Sequence, residues 1–279
     1  MLRAKGAGIQ IQLAEWKGQG PPVLCLHGLT ANCRCFDVPA SVIAPMRRVL
    51  AMDLRGRGLS DKPDTGYSID HHCEDIQAVL DDLGIEKTAL LGHSLGGYIA
   101  LAFAHKHPDR VERLVLMDAG AQLSIEQWAK IGAGIKPSLD RLERTFPSFD
   151  AYLENVKKAA YLNPWNDAIE TYFKYESEEK DGVVRSRIRP EHILEERKHL
   201  ASTDTSAYYD NVHCPVLVLR ATEGMAAKDD HVLPEDAAAE LKKALPQMEL
   251  VHVRGSNHYS ILFQPFEQRD NALKNFLRV

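Results

Sequence analysis

Six short apolar runs, none alternating with polar residues, constrain this chain of 279 residues more than any other feature. They are Val23-Leu-Cys-Leu-His-Gly28, Val49-Leu-Ala-Met-Asp53, Thr88-Ala-Leu-Leu-Gly92, Leu114-Val-Leu-Met-Asp118, Pro215-Val-Leu-Val-Leu-Arg220 and Leu250-Val-His-Val-Arg254. A strand that is apolar on both sides must be covered on both sides, as in a parallel sheet flanked by helices. The intervening segments supply helices, with helical patterns over Cys73 to Leu83, Gly97 to His107 and Pro234 to Leu245. Strand–helix–strand repetition predicts right-handed crossovers and an α/β fold with a mostly parallel, doubly wound sheet. Ile9-Gln-Ile-Gln-Leu13 alternates instead and reads as an antiparallel edge strand with one wet face.

The rhythm breaks from about Ala121 to Tyr209, a charged, helix-prone stretch. It holds 11 of the 20 aromatic residues: Trp128, Phe146, Phe149, Tyr152, Tyr161, Trp165, Tyr172, Phe173, Tyr175, Tyr208 and Tyr209. Residues 1–120 and 211–279 are therefore expected to form the core domain. Residues 121–210 form an inserted helical lid over the C-terminal edge of the sheet, where open α/β sheets bind ligands. Most of the lid aromatics are expected to pack as the lid's own core.

At 44% hydrophobic and 26% charged residues, the composition is that of a globular protein and excludes disorder or fibrous repeats. A net charge of −5 argues against a nucleic-acid or anionic-membrane surface, which needs a basic stripe. No stretch approaches the roughly 20 apolar residues of a membrane span. Met1 to Gly8 lacks the apolar core of a secretory signal, so a cytoplasmic location is expected. Five cysteines (25, 33, 35, 73 and 214) match neither a disulfide framework nor a zinc pattern. No metal is expected, and the thiols read as small buried groups.

Chemistry enters at Gly92-His-Ser94-Leu-Gly96-Gly97, directly after an apolar strand and before a helix. A serine on such a turn is held in a strained conformation with its hydroxyl exposed, and glycines two residues either side leave room for the turn. The helix beginning at Leu95 points free N–H groups and its positive end at the same spot. A serine hydroxyl needs a base. Of twelve histidines, His27 and His93 belong to strand-end turns, His105 and His107 lie on the helix after the serine, and His252 sits within a strand. His258, in Gly255-Ser-Asn-His258, follows the last strand on the same rim as Ser94. The backbone N–H groups of Leu29 and Leu95 are the expected anion hole, worth roughly 2.7 to 4 kcal/mol of barrier per donor.

The order His27-Gly28, Asp53-Leu-Arg55-Gly-Arg57-Gly-Leu-Ser60-Asp-Lys-Pro, Gly92-His-Ser94-Leu-Gly-Gly and Gly-Ser-Asn-His258 resembles the α/β-hydrolase superfamily from about Pro21 to the end. The resemblance implies the α/β-hydrolase fold, a Ser-acid-His triad in that chain order and no cofactor. The Asp53 to Gly58 segment lacks G-x-G-x-x-G spacing, which argues against a nucleotide site. In relatives this turn is structural, with its arginine paired internally.

The resemblance leaves three candidates for the acid. Most members place it after the strand that follows the lid, where the usual spacing falls on Gly224; an insertion there nominates Asp230, and Glu223 is a further possibility. Asp118 ends the strand before the lid. Some members, among them amide hydrolases of pyridine-ring catabolism, carry the acid there, and the Gly58 to Tyr67 segment and the Ser94 to Asp118 interval resemble those enzymes. Asp118 is the preferred candidate. The expected activity is hydrolysis of small carboxylic esters through Ser94, His258 and Asp118 by a monomer or homodimer acting on a small molecule. Hydrolysis of an amide or C–C bond in aromatic catabolism, or of a lactone, is the alternative. A non-catalytic receptor on the same fold would instead retain a ligand and tolerate loss of His258.

Overall fold

The apolar runs form strands whose side chains are shielded throughout. A computed structural model describes residues 1–278. The first half runs β1 (Leu2–Lys5), β2 (Gln10–Trp16), β3 (Val23–Leu26), α1 (Asp37–Ile43), β4 (Val49–Met52), α2 (Ile69–Asp82), β5 (Thr88–His93), α3 (Leu95–Lys106) and β6 (Val111–Met117). Every residue of β3, β4 and β5 is buried. The insertion follows: α4 (Ile125–Gly134), α5 (Lys136–Leu142), β7 (Thr145–Phe146), α6 (Phe149–Lys157), α7 (Asp167–Glu176), β8 (Ser177–Lys180), β9 (Val183–Ser186) and α8 (Pro190–Ala201). The chain then returns through β10 (Val216–Ala221), α9 (Glu235–Ala244), β11 (Met248–Val253), α10 (Ser260–Phe263) and α11 (Glu267–Leu277).

The main sheet is ordered β1-β2-β4-β3-β5-β6-β10-β11. All pairs from β4 to β11 are parallel, while β2 is antiparallel to both β1 and β4. This is the expected α/β fold, with one correction. The alternating Ile9–Leu13 stretch is antiparallel but interior to the sheet, because Leu2–Lys5 pairs along its outer side and becomes the edge. From β3 the chain passes to β4 on one side and later to β5 on the other, so the winding reverses between β3 and β5. Ligands of doubly wound sheets bind beyond the C-terminal ends of strands at such a reversal. Gly28 and Ser94 leave the sheet there.

The inserted segment departs from the expectation of a helical lid. Its β7, β9 and β8 form a small antiparallel sheet. Asp181 and Gly182 connect β8 to β9 with both residues at positive φ, the two-residue turn that Asp-Gly favours. The Lys-Asp-Gly-Val sequence was the signal for this hairpin.

A buried ion pair fastens the inserted segment to the turn after β4. Arg57, in the turn after β4, pairs with Glu196 of α8, and His72 of α2 reaches the other Glu196 oxygen at 2.5 Å. Burial pushes the Glu196 carboxyl up, but the charges of Arg57 and His72 outweigh it and hold the group at about 2. The neighbouring Arg55 is bound twice by buried Asp75, at 2.7 and 2.9 Å. Asp53 accepts from the Cys33 and Leu59 amides and from Tyr175 of the lid, at 2.8, 2.9 and 2.6 Å. Every charge of this turn is thus consumed internally. Glu196→Gln should cost about 3–5 kcal/mol of unfolding free energy, because it strands a buried guanidinium. Breaking the exposed Lys136–Asp140 pair should cost nothing that thermal unfolding detects. The contribution of ionised Glu196 is complete above its ordinary value of 4.5 and is lost as pH falls toward about 2. The parent's thermal midpoint should therefore fall across that window more steeply than the variant's.

Candidate functional site

Ser94 sits at φ 54 and ψ −125 between β5 and α3. A side chain is strained in that region, and such strain persists only where surrounding structure enforces it. Enforcement here is steric. A Cβ on Gly92 would lie 2.2 Å from the Gly96 carbonyl oxygen, and one on Gly96 would lie 2.0 Å from the Leu26 carbonyl oxygen. Strand, turn and helix therefore approach more closely than any side chain permits. Helix α3 is buried from Leu95 through Ala104, which anchors the turn in the core.

Asp118 leaves the adjacent strand, since His93 pairs with Met117 in register. It too lies at positive φ, 50. Its carboxylate is held from two sides: Oδ1 accepts from the Ala221 amide at 3.2 Å, and Oδ2 lies 2.7 Å from His258 Nδ1. With Nδ1–H donated to Asp118, the lone pair of His258 resides on Nε2. His258 and Ser94 share the wall of a cavity of about 60 Å³. Among the described residues Ser94 Oγ makes no hydrogen bond, so serine and imidazole face the same space without being engaged. Such contacts are often loose until substrate binds.

Among the described residues neither of the other acid candidates bonds to His258. Asp230 is buried, but its Oδ2 accepts from the Ala226 and Ala227 amides at 2.9 and 3.0 Å and ties its own loop. Glu223 is exposed. Of the three, Asp118 is the one the fold brings to the imidazole.

The segment that carries Leu29 runs beside the serine turn, and Leu95 directly follows Ser94 at the start of α3. A Cβ on Gly28 would stand 3.1 Å from Ser94 Cβ, so the backbone entering Leu29 passes against the nucleophile turn. Neither the Leu29 nor the Leu95 N–H donates to a protein acceptor among the described residues. Arg57 Nε donates to the Leu29 carbonyl at 3.1 Å and braces that loop from behind.

One residue escaped the sequence reading. His93 donates from Nε2 to the His258 carbonyl at 2.9 Å, and the two rings lie 4.3 Å apart. Burial, then the neighbouring His258, hold His93 well below the usual imidazole range, so it stays neutral. It thereby fixes the backbone of His258 without placing a second cation beside it. Nothing local in the sequence marks this role, because its partner is 165 positions away.

The remaining cavity wall includes Thr30, Ala31, Cys35, Ile135, Tyr172 and Phe263, with no Lys, Arg, Asp or Glu. Burial pushes the Cys35 thiol well above its ordinary value, leaving it a small apolar surface. Of the eleven aromatics of the inserted segment only Tyr172 lines this cavity; Phe146, Phe149 and Phe173 each pack edge-on against Tyr152. Among the described residues no cluster of His, Cys, Asp and Glu is arranged for a metal ion, and no helix is long and apolar enough to cross a membrane.

Comparison with known proteins agrees with this fold. The family model of the alpha/beta hydrolase fold matches residues 21–265. The chain is 30% identical over 261 residues to a 2-(acetamidomethylene)succinate hydrolase of Mesorhizobium japonicum, covering 94% of this chain and 89% of that one. It is 29% identical to a 2-hydroxymuconate semialdehyde hydrolase of Pseudomonas putida, covering 97% and 92%. The crystal structure of an E-2-(acetamidomethylene)succinate hydrolase superposes with a TM-score of 0.86 at 27% identity, over 99% of this chain and 98% of that one. With the serine turn, the strand order and the family match in accord, this chain belongs to the α/β-hydrolase family.

Proposed function

We propose that this protein is a serine acyl hydrolase that cleaves an amide or ester bond of a small molecule bearing a compact acyl group. The observation that carries the reading is the 2.7 Å contact of Asp118 with His258, on the rim of the cavity that also holds Ser94. Ser94 Oγ bonds to the acyl carbon while its proton passes to His258 Nε2, and the carbonyl oxygen takes the negative charge against the Leu29 and Leu95 amides. His258 then gives that proton to the departing nitrogen or oxygen as the bond to it breaks. Water attacks the acyl-enzyme, losing a proton to His258, and the carboxylic acid and free serine are released. Asp118 holds the imidazole in the tautomer this requires and stabilises its charged form.

The acetamido group in the name of one relative weighs toward amides over the simple carboxylic esters that the motifs alone suggest, while the shared chemistry serves both. The cavity supports an uncharged acyl group, since no ionised side chain lines it. Free buried thiols fit a reducing, cytoplasmic setting. Steady-state assays with p-nitrophenyl acetate and p-nitroacetanilide test the reading. Turnover of either that falls about 10³-fold or more in His258→Gln is expected. Equal turnover by parent and variant would count against it.

A further inference from the structure

The serine cavity is too small for a whole substrate. At about 60 Å³ it holds a few water-sized volumes, enough for a carbonyl and a methyl-sized group. A second cavity of about 360 Å³ lies beside it, and Leu29 and Ile135 stand in the walls of both. That volume is within the range of small-molecule sites. Helices α4 and α8 of the lid form its walls, with Trp128 and Ile131 on one side and Leu200 and Ala201 on the other. Two cations, Arg197 and Lys198, also line it. Arg197 is half-buried and Lys198 exposed, and among the described residues neither makes an ion pair or a side-chain hydrogen bond.

Their neighbours on α8 are engaged otherwise. Glu195 accepts from the Gly66 and Tyr67 amides at 2.9 and 3.1 Å, and Glu196 binds Arg57 and His72. Of the three carboxylates of the helix these two are engaged elsewhere, and the third, Glu191, is exposed and stands six positions from Arg197 in the first turn. Its guanidinium lies beside Gly132 of α4, where an added Cβ would come 3.9 Å from Nη2, so both helices meet at this part of the cavity wall. A half-buried, unpaired guanidinium in the wall of a largely apolar cavity is suited to a carboxylate, which it can bind through two parallel hydrogen bonds.

We infer that this second cavity receives the larger half of the substrate, and that this half is an apolar body ending in a carboxylate held by Arg197, with Lys198 adding charge at the rim. The inference rests on Ser94 being the nucleophile, because that places the scissile carbonyl at the junction beside Leu29. It divides the substrate into a neutral end at the serine and an anionic end beneath α8.

Two aryl acetates test it, one with a para carboxylate and one with a para carboxamide. The methyl esters of the corresponding benzoic acids present the same groups in the transposed order. The parent should prefer the carboxylate in at least one series by about 10- to 100-fold in kcat/KM, the factor a charge-assisted hydrogen bond gives. Arg197→Ala should bring that ratio close to one, mainly through KM, and Arg197→Lys should restore part of it. No preference in either series, or a preference that survives Arg197→Ala, overturns the subsite while leaving the nucleophile assignment intact. Loss of all ester turnover, or turnover retained in Ser94→Ala, instead strikes the nucleophile assignment. Calorimetric titration of Ser94→Ala with the same esters keeps the subsite testable in that case. Tighter binding of the carboxylate, abolished by adding Arg197→Ala, supports it, and equal binding of the two overturns it.

Discussion

Ser94→Ala is expected to lower kcat on a turned-over ester or amide by about 10⁴- to 10⁶-fold while leaving the fold in place. The loss follows from the division of labour at the site. Without Oγ no acyl-enzyme forms, and His258 has no hydroxyl proton to take. What remains is the anion hole and the shaped cavity, which elsewhere retain roughly 10³- to 10⁴-fold over uncatalysed hydrolysis. Stability should barely change, because alanine and serine present the same Cβ to the strained turn at φ 54. The thermal midpoint and the kcat therefore separate: the first stays, the second collapses. A variant that unfolds early would show instead that Ser94 has a structural task.

Asp118→Asn should cost about 10⁴-fold in kcat. The replacement is nearly isosteric and can still accept from the Ala221 amide, which now meets Oδ1 at 3.2 Å. What changes is the sense of the 2.7 Å contact with His258. An amide NH2 turned toward Nδ1 makes that nitrogen an acceptor and moves the imidazole proton to Nε2, where the base is needed. The comparison with Asp230→Asn and Glu223→Gln is decisive. Asp230 serves two loop amides, so its loss should affect the stability of the 224–230 loop more than turnover. Glu223 is exposed, and its change should leave both unaltered. Retention of most activity by Asp118→Asn, with loss in either of the others, would move the acid to the strand after the lid.

The parallel core was readable because β3, β4 and β5 are covered on both faces, and burial on both faces writes an uninterrupted apolar run. The serine turn was readable because its steric demands fall on consecutive residues: Gly92 and Gly96 are required by contacts within one strand–turn–helix unit. The outer edge was not, since four mixed residues, Leu2–Lys5, carry too little pattern to announce a strand that covers β2. Among Asp118, Asp230 and Glu223, strand-end position alone does not discriminate, and the preference for Asp118 rests on resemblance in the Gly58 to Tyr67 segment and the Ser94 to Asp118 interval. In space it is Asp118 that the His258 imidazole reaches, at 2.7 Å. The Arg57–Glu196 pair spans 139 positions, and nothing around Glu196 distinguishes it from the solvated Glu191 on the same helix. Lid aromatics were legible as a group, but their division was not. The packing of α4, α7 and α8 decides that Tyr172 faces the serine cavity and Trp128 the second one.

Covalent capture tests the central claim most directly. The parent incubated with diethyl p-nitrophenyl phosphate should lose activity, release one equivalent of p-nitrophenol, and carry a diethylphosphoryl group on Ser94 in peptide mass spectrometry, with no such adduct in Ser94→Ala. A protein that still hydrolyses its substrates after that treatment, or whose inactivating adduct maps to another residue, would contradict the account.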